Sequence, residues 1–416
     1  MVSVRKKQSV DASSEDEISM KRGAEFQTWV SRSLDVFKGI FIIFMLAEHT
    51  RSSFGIDMTS KEPIMQFVSQ VACSLDMTSF STAYGFSCYQ AYLTNSKNRS
   101  SRDQFWRVFR SVGLIVSAMW MCNIIFALGV LRWVPTWTNM RKIFTMEVLF
   151  WDFLATFPAM LLMGFLITKP LMHVAVRSGL FVRLCVFAIL LGLPLLSPQF
   201  ALEACSTLPE RYSAVFLGCV KRAMGAMRFS AGTYMFFFNL GCIVSMYVSE
   251  YRTGPSLQML RKPHWVAFLA FFAIEFAYAL PLLHEYNSPW EYLNWNGYRR
   301  FPMTAPLMLA WGFLSQSVAI GALCLTYCER KLKFLRPIVS MLEHFGANVL
   351  LYLTVSNFVI NSIFHVEWEQ YQESAKQPVG GKVLSIRTWE FIVLAAAVGQ
   401  ILLVLLLRYM IQTSRK

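Results

Sequence analysis

Three side chains that could do chemistry stand at helical spacing near the start of the chain. Asp35, Lys38 and His49 lie in the stretch 32–50, which reads RSLDVFKGIFIIFMLAEHT and is otherwise largely apolar. An imidazole titrates near neutral pH and can accept a proton, whereas a lysine ammonium can bind an anion. Asp35 precedes Lys38 by about one helical turn, so the two are expected to form an ion pair.

A helix over this stretch places Lys38 and His49 on nearly the same face. The eleven-residue spacing corresponds to about three turns, and a rise of about 1.5 Å per residue separates the two side chains by roughly 16 Å. They can therefore line one path without touching each other. Glu48 lies about 100° around the helix from His49 and is a poor partner for its imidazole.

The composition predicts that this helix is one of many that cross a membrane. Hydrophobic residues make up 55% of the 416 residues and charged residues only 15%, which excludes an ordinary soluble enzyme core. Apolar runs long enough for a bilayer recur, and they predict an all-α polytopic membrane protein with about ten transmembrane helices. The predicted spans are 36–55, 66–93, 112–131, 146–168, 180–197, 231–249, 265–283, 303–328, 338–364 and 389–411.

The ends of the chain differ in composition from the apolar middle. Residues 1–31 are mixed in charge, lack the apolar run of a signal peptide and are predicted to form a disordered cytosolic tail. Residues 32–411 are expected to form a single transmembrane domain. Residues 412–416 form a short basic tail, also predicted to be cytosolic.

Basic residues set the expected orientation. With the N-terminus inside, about two thirds of the 39 Lys and Arg residues fall on the cytosolic side, so both termini are predicted to be cytosolic. The net charge of +14 is then a consequence of topology. Because the charges lie in separate short loops, a nucleic-acid partner is not expected.

Cysteine and histidine spacing gives no sign of a metal centre. The zinc-type and HExxH patterns are absent from the sequence, so no protein-bound metal is predicted. Cys205 and Cys219 share a predicted outer loop and could pair if that side is oxidising, and the sequence leaves this open.

Several ionisable residues fall at predicted membrane depth, where they are expensive and are functional candidates by default. Asp76, Glu147 and Asp152 could either make interhelical hydrogen bonds or orient the imidazole of His49. Glu275 is interpreted as structural. Glu343 and His344 are candidates at the predicted start of the ninth span, and His344 is interpreted as a residue of the membrane boundary.

The segment LDVFKGIFIIFMLAEH resembles the first-span signature of the transmembrane acyltransferase superfamily. This superfamily includes acyltransferase family 3, the glucan succinyltransferases and the heparan-alpha-glucosaminide N-acetyltransferases. Its signature is an Asp, then a basic residue with Gly, then an apolar run ending in His, and Asp35, Lys38, Gly39 and His49 match it. The superfamily usually has Arg where this chain has Lys38. Weaker similarities occur over 78–93, 299–314 and 344–364.

The resemblance implies an integral membrane acyltransferase. Its co-substrate would be cytosolic acyl-CoA, with acetyl-CoA favoured, and its acceptor a hydroxyl or amine, in particular of a carbohydrate. No permanently bound cofactor is implied. His49 would be the general base and Asp35 with Lys38 would complete the catalytic group. Donor phosphates would meet Lys38 and the arginines of a predicted cytosolic loop, whose other interpretation is topology alone: Arg102, Arg107 and Arg110.

A transporter is the alternative from another class. The same buried polar residues could carry a small anion or a proton-coupled solute across the membrane. Transporters often contain internal repeats, and 36–200 shows no convincing repeat in 231–411, which weighs against this alternative.

The predicted orientation can be tested at one sequon. Asn98, Arg99 and Ser100 form the only N-x-Ser/Thr site in the sequence, and it lies in a segment predicted to be cytosolic. Asn98 is therefore expected to remain unmodified in a eukaryotic host, which a glycosidase gel-shift assay would check. A glycan at Asn98 would show that the orientation is inverted.

Overall fold

The fold is helical throughout the part of the chain that this computed structural model describes. The described residues are 25–26, 28–43, 45–46, 73–93, 100–129, 136–138, 156–207, 231–250, 263–284, 305–352, 355, 398–399, 401–406 and 409–410. These residues are nearly all in helices and include no strand, in agreement with the predicted all-α class.

Nine helices are used below to describe the structure. They are α1 (28–43), α2 (Cys73–Cys88), α3 (Ser101–Gly129), α4 (Thr156–Arg177), α5 (Leu180–Thr207), α6 (Ala231–Glu250), α7 (Pro263–His284), α8 (Ala305–Glu329) and α9 (Arg336–Ala347). A π-helical turn, Tyr89–Leu93, extends α2, and a second one, Gly164–Thr168, lies within α4. A short 3₁₀ turn, Lys333–Leu335, precedes α9.

Four of the described helices are long and apolar enough to cross a membrane. They are Thr156–Arg177, Leu180–Ser197, Ala231–Ser249 and Ala305–Glu329, and α7 adds a shorter apolar stretch, Val266–Leu280. This supports the predicted class of membrane helices. The count of ten spans stays a prediction, because predicted spans such as 36–55 and 389–411 lie partly outside the described residues.

From Ser101 onward, the predicted cytosolic loop before the third span is helical instead. Helix α3 begins at Ser101, so the loop prediction over its basic residues was wrong. The hydroxyl of Ser100 donates to Asp103 Oδ2 (2.7 Å) and accepts from the Asp103 backbone N–H (3.1 Å). This reciprocal cap satisfies a free N–H of the first turn and starts the helix early. The predicted donor-binding arginines therefore lie on a helix: Arg102, Arg107 and Arg110.

The predicted loop between the fourth and fifth spans is also shorter than expected. Helix α4 runs to Arg177, and the backbone is extended at Ser178 before α5 begins at Leu180. The guanidinium of Arg183 donates from Nε to the Ala175 carbonyl at 3.1 Å and closes the turn. Helices α4 and α5 therefore form a tight hairpin.

The predicted ninth span is interrupted close to its start. Helix α9 ends at Ala347, where Asn348 leaves helical geometry (φ −117°, ψ 27°), and a helical turn resumes at 349–352. Glu343 and His344 therefore lie in the last turns of α9. The break comes just after Gly346, in the long predicted span 338–364, most of whose second half lies outside the described residues.

Helix α6 lies at the centre of the described bundle. Its membrane-length stretch is 89% buried, against 28% for that of α5. It crosses α2 at a backbone contact: a Cβ at Gly85 would lie 1.9 Å from the Phe238 carbonyl oxygen, and one at Gly241 would lie 2.0 Å from the Thr82 carbonyl oxygen. Each helix thus supplies a glycine where the other helix approaches.

Polar side chains fasten further helices to this centre. Asn239 of α6 donates from Nδ2 to the Leu190 carbonyl of α5 (2.7 Å) and accepts from the Thr168 hydroxyl of α4 (2.8 Å). Both bonds are buried, where a hydrogen bond has little competition from water. Asn239 therefore fixes the α4–α5 hairpin against the central helix.

The glycine crossings predict a position-dependent response to alanine. Gly241→Ala should destabilise the protein by about 1 to 3 kcal/mol, because its methyl group would force the α2 backbone to move. Gly192→Ala is the matched control, since a Cβ on Gly192 of α5 meets nothing within 4 Å. It should be neutral or stabilise the helix by up to about 1 kcal/mol. Thermal unfolding in detergent would compare the two, and equal melting temperatures would contradict the close crossing.

Candidate functional site

The acid–base pair predicted at the start of the first span is present. Lys38 Nζ lies 2.5 Å from Asp35 Oδ1, one turn apart on α1. Their side chains are 20% and 25% exposed, whereas the intervening Val36 and Phe37 are buried. The pair therefore sits at the edge of the core, where a charged group can still be reached by water or by a solute.

Helix α9 holds this part of α1 by a backbone contact. A Cβ at Gly346 would lie 1.7 Å from the carbonyl oxygen of Asp35, and one at Gly39 would lie 1.9 Å from the carbonyl oxygen of Leu342. Both helices contribute a glycine, so their backbones approach without intervening side chains. The glycine that follows Lys38 in the sequence motif thus has a physical role, because any larger residue would push α9 away from the pair.

An arginine network closes the same end of α1. Arg32 donates from Nε to Glu343 Oε2 (3.1 Å) and from Nη2 to the same oxygen (3.0 Å), and Nη2 also reaches Glu329 Oε2 (3.2 Å). These hydrogen bonds, above all those to Glu343, raise the pKa of Arg32 above its ordinary value. Arg32 therefore ties α1 to the end of α8 and to α9.

Hydroxyl groups extend the network into the core. Thr326 of α8 accepts from the Trp29 indole N–H (3.1 Å), and its hydroxyl shares a hydrogen bond with that of Ser33 (2.6 Å). Ser33 and Thr326 are almost fully buried. The position of Lys38 on α1 therefore depends on α8 and α9, which lie some 300 residues later in the sequence.

The network around Arg32 was not predicted from the sequence. There, Arg32 counts only toward the balance of basic residues, and Glu343 is one of the ionisable candidates of the predicted ninth span. The available signal was charge pattern: Glu329 and Glu343 flank a segment in which Arg330, Lys331, Lys333 and Arg336 are all basic. Two acids beside such a segment predict a basic partner from elsewhere, but only the tertiary fold identifies which one.

Two of the three predicted donor-binding arginines converge at the end of α2. The guanidinium of Arg107 lies 5.8 Å from the ring centre of Tyr92. The Tyr92 hydroxyl is hydrogen-bonded to that of Ser111 at 2.7 Å, and Arg110 lines the same cleft of about 270 Å³. The third, Arg102, is exposed. Among the described hydrogen bonds and ion pairs, none joins this cleft to Lys38.

Other candidate residues fall where the structure gives no side-chain description. His49, Glu147 and Asp152 lie outside the described residues, as does Cys219. Asp76 lies in α2 and Cys205 in α5, but only their backbone is described. The predicted path from Lys38 to His49, and the choice of an acid to orient the imidazole, stay predictions. The described residues contain no group of three potential metal ligands.

Comparison with protein-family models, curated proteins and solved structures finds no match to this chain.

The Arg32 network predicts a measurable coupling energy. Arg32→Ala should lower the free energy of unfolding by about 1 to 2 kcal/mol, since two carboxylates lose a partner that is itself one-third exposed to screening water. A double-mutant cycle with Glu343→Ala should return a coupling of at least about 0.5 kcal/mol.

Arg330→Ala is the matched control, because Arg330 is an exposed arginine in the turn after α8. It should change stability by less than about 0.5 kcal/mol. Additive effects of Arg32→Ala and Glu343→Ala would show that the network contributes nothing to holding α1 against α9.

Proposed function

We propose that the protein is a multi-pass integral membrane acyltransferase with both termini in the cytosol. It transfers an acyl group, with acetyl favoured, from cytosolic acyl-CoA to a hydroxyl or amine, in particular of a carbohydrate. The observation that carries the proposal is the ion pair between Asp35 and Lys38, partly exposed and held at a backbone crossing. This pair stands in the register that the acyltransferase-like segment requires relative to His49.

Lys38 is suited to contact an anionic donor. Its ammonium has three N–H donors, and the single contact to Asp35 leaves others for a phosphate or a carbonyl oxygen. Asp35 supplies the opposite charge for this ammonium at the edge of an apolar core, where an unpaired charge would be costly. The pair therefore presents an ammonium group, held by Asp35, on the part of α1 that is predicted to lie near the cytosol.

The arginines of α3 are proposed to extend this donor surface. Arg107 and Arg110 lie at the first turns of α3 beside the cleft lined by Tyr92 and Ser111. Guanidinium groups bind phosphates through paired N–H donors, and the aromatic ring restricts where Arg107 can go. Arg102 adds positive charge one turn earlier. A donor with several phosphates would be attracted to this face even where individual contacts are weak.

His49 is proposed to carry out the proton transfer. It would remove the proton from the acceptor hydroxyl or amine, whose oxygen or nitrogen then attacks the thioester carbonyl. Collapse of the tetrahedral intermediate breaks the C–S bond, and the thiolate of CoA takes the proton back from the imidazolium. Asp76, Glu147 or Asp152 would orient the ring. Lys38 is expected to lie roughly 16 Å from His49 on the predicted first-span helix, so it would hold the donor and not act on the carbonyl.

A transporter is the second candidate, and the buried acid Glu275 is the observation that favours it. Glu275 is fully buried in α7, and acids at membrane depth often belong to ion or proton pathways. Acyl transfer or thioester hydrolysis by the purified protein in detergent would support the enzyme. Solute flux in liposomes without any thioester turnover would contradict the proposed enzyme and support the transporter.

Substitutions at the two ends of the predicted first span should change different kinetic constants. His49→Ala should lower kcat by a factor of about 10² to 10⁴ with little change in donor affinity. Lys38→Ala should mainly raise the KM for acyl-CoA, and Lys38→Arg should retain much of the activity because it keeps the charge. Near-normal acyl transfer by the His49→Ala variant would show that His49 is a packing residue and would contradict the proposed mechanism.

A double variant separates donor contact from simple charge pairing. If Lys38 only neutralises Asp35, then Lys38→Ala combined with Asp35→Asn should recover both the stability and the donor affinity lost in the single variants. If Lys38 contacts the donor, stability recovers but the raised KM remains. Thermal unfolding and initial rates on the same preparations give the two readouts.

A further inference from the structure

Helix α7 carries one acidic residue in the middle of its apolar stretch. Glu275 interrupts the run FLAFFAIEFAYAL and is fully buried, although its neighbours Ile274 and Phe276 are 51% and 42% exposed. The flanking residues therefore face outward, while the carboxyl group faces the interior of the bundle. Neither the proposed donor surface nor His49 chemistry makes use of it.

Helix α8 supplies the polar partner of this carboxyl group. The Gln316 side-chain amide donates from Nε2 to Glu275 Oε2, and also to the Gly312 carbonyl oxygen at 3.3 Å. The other carboxyl oxygen, Oε1, is buried and has no hydrogen-bond partner in the described structure. No ion pair to Glu275 occurs among the described residues, so one amide group is its polar support.

Oε1 of Glu275 has room because residue 312 on α8 is a glycine and has no side chain. A Cβ at Gly312 would lie 2.4 Å from Glu275 Oε1 and 3.2 Å from the ring of Phe236 on α6. On the same pair of helices, the rings of Phe272 and Phe276 of α7 pack against the ring of Phe313 of α8. The distances between ring centres are 4.9 Å for Phe272 and 5.1 Å for Phe276. Among the described residues, those that face the carboxyl are Gln316 and Gly312 from α8 and Phe236 from α6, and none of these three is titratable.

We propose that Glu275 is an intramembrane proton-binding site, occupied by its proton and therefore neutral in the folded protein at neutral pH. An ionised carboxylate here would be a buried charge without a counter-ion, which is far more costly than one hydroxyl without a partner. The Gln316 amide can donate to the carbonyl oxygen Oε2, and the proton then resides on Oε1 in the space left by Gly312. Release of that proton would place a negative charge between α7 and α8.

Infrared difference spectroscopy on the full-length protein in liposomes tests this directly. A protonated carboxylic acid has a C=O stretching band distinct from that of a carboxylate, and this band shifts in heavy water. Wild-type protein at neutral pH should show such a band, and Glu275→Gln should lose it. Glu343→Gln is the matched control: Glu343 forms an ion pair with Arg32, so its replacement should leave the band unchanged.

Gly312→Ala provides a second readout that does not depend on removing the acid. Its methyl group would crowd Oε1, so the band should persist at a shifted frequency. A wild-type spectrum without the band, or a band that is the same in Glu275→Gln, would overturn the proposal and make Glu275 an ionised group. The infrared band does not depend on acyl transfer. A negative infrared result would therefore leave the proposed enzyme activity unaffected, and a negative acyl-transfer assay would leave the proposed proton site unaffected.

Discussion

Close backbone contact at paired glycines is the constraint on which the rest of this structure depends. Between lipid-embedded helices there is little hydrophobic driving force, and association relies on close packing and hydrogen bonds. The α2–α6 crossing uses Gly85 and Gly241, and the α1–α9 crossing uses Gly39 and Gly346. In both, each helix omits a side chain where the other arrives, so the relative position of the two backbones is fixed by contact of main-chain atoms.

The second of these crossings positions the candidate site. Gly346 lies against the carbonyl of Asp35, so α9 touches the acid that holds Lys38. Arg32 then binds Glu343 of α9 from one turn earlier on α1. The glycine contacts and the Arg32–Glu343 ion pair therefore act on the same three turns of α1. A shift of α9 would move both the Asp35–Lys38 pair and the arginine network.

The sequence predicted what depends on local spacing and missed what depends on distant partners. The all-α class and the ion pair between Asp35 and Lys38 follow from periodicity and from one-turn separation. The start of α3 was predicted too late, because a charged, hydrophilic segment was interpreted as a loop. The sequence does contain the signal of an earlier start, since Ser100 followed by Asp103 is a pattern typical of a helix cap. The partners of Arg32 could not be predicted, because Glu329 and Glu343 lie about 300 residues away and several other basic residues stood nearer.

Two acids in this chain show two ways of placing a carboxyl group in an apolar bundle, and the difference bears on function. Asp35 is partly exposed and is paired with Lys38, so its carboxylate has both a counter-ion and access to solvent. Glu275 is fully buried with one amide donor, and a charge there would have no compensation. The proposed anionic donor would therefore be favoured beside Lys38 on α1 and disfavoured at the interface of α7 and α8, where the proposed occupant of the carboxyl group is a proton. The proposed acyl transfer and the proposed proton site occupy different helices for this electrostatic reason.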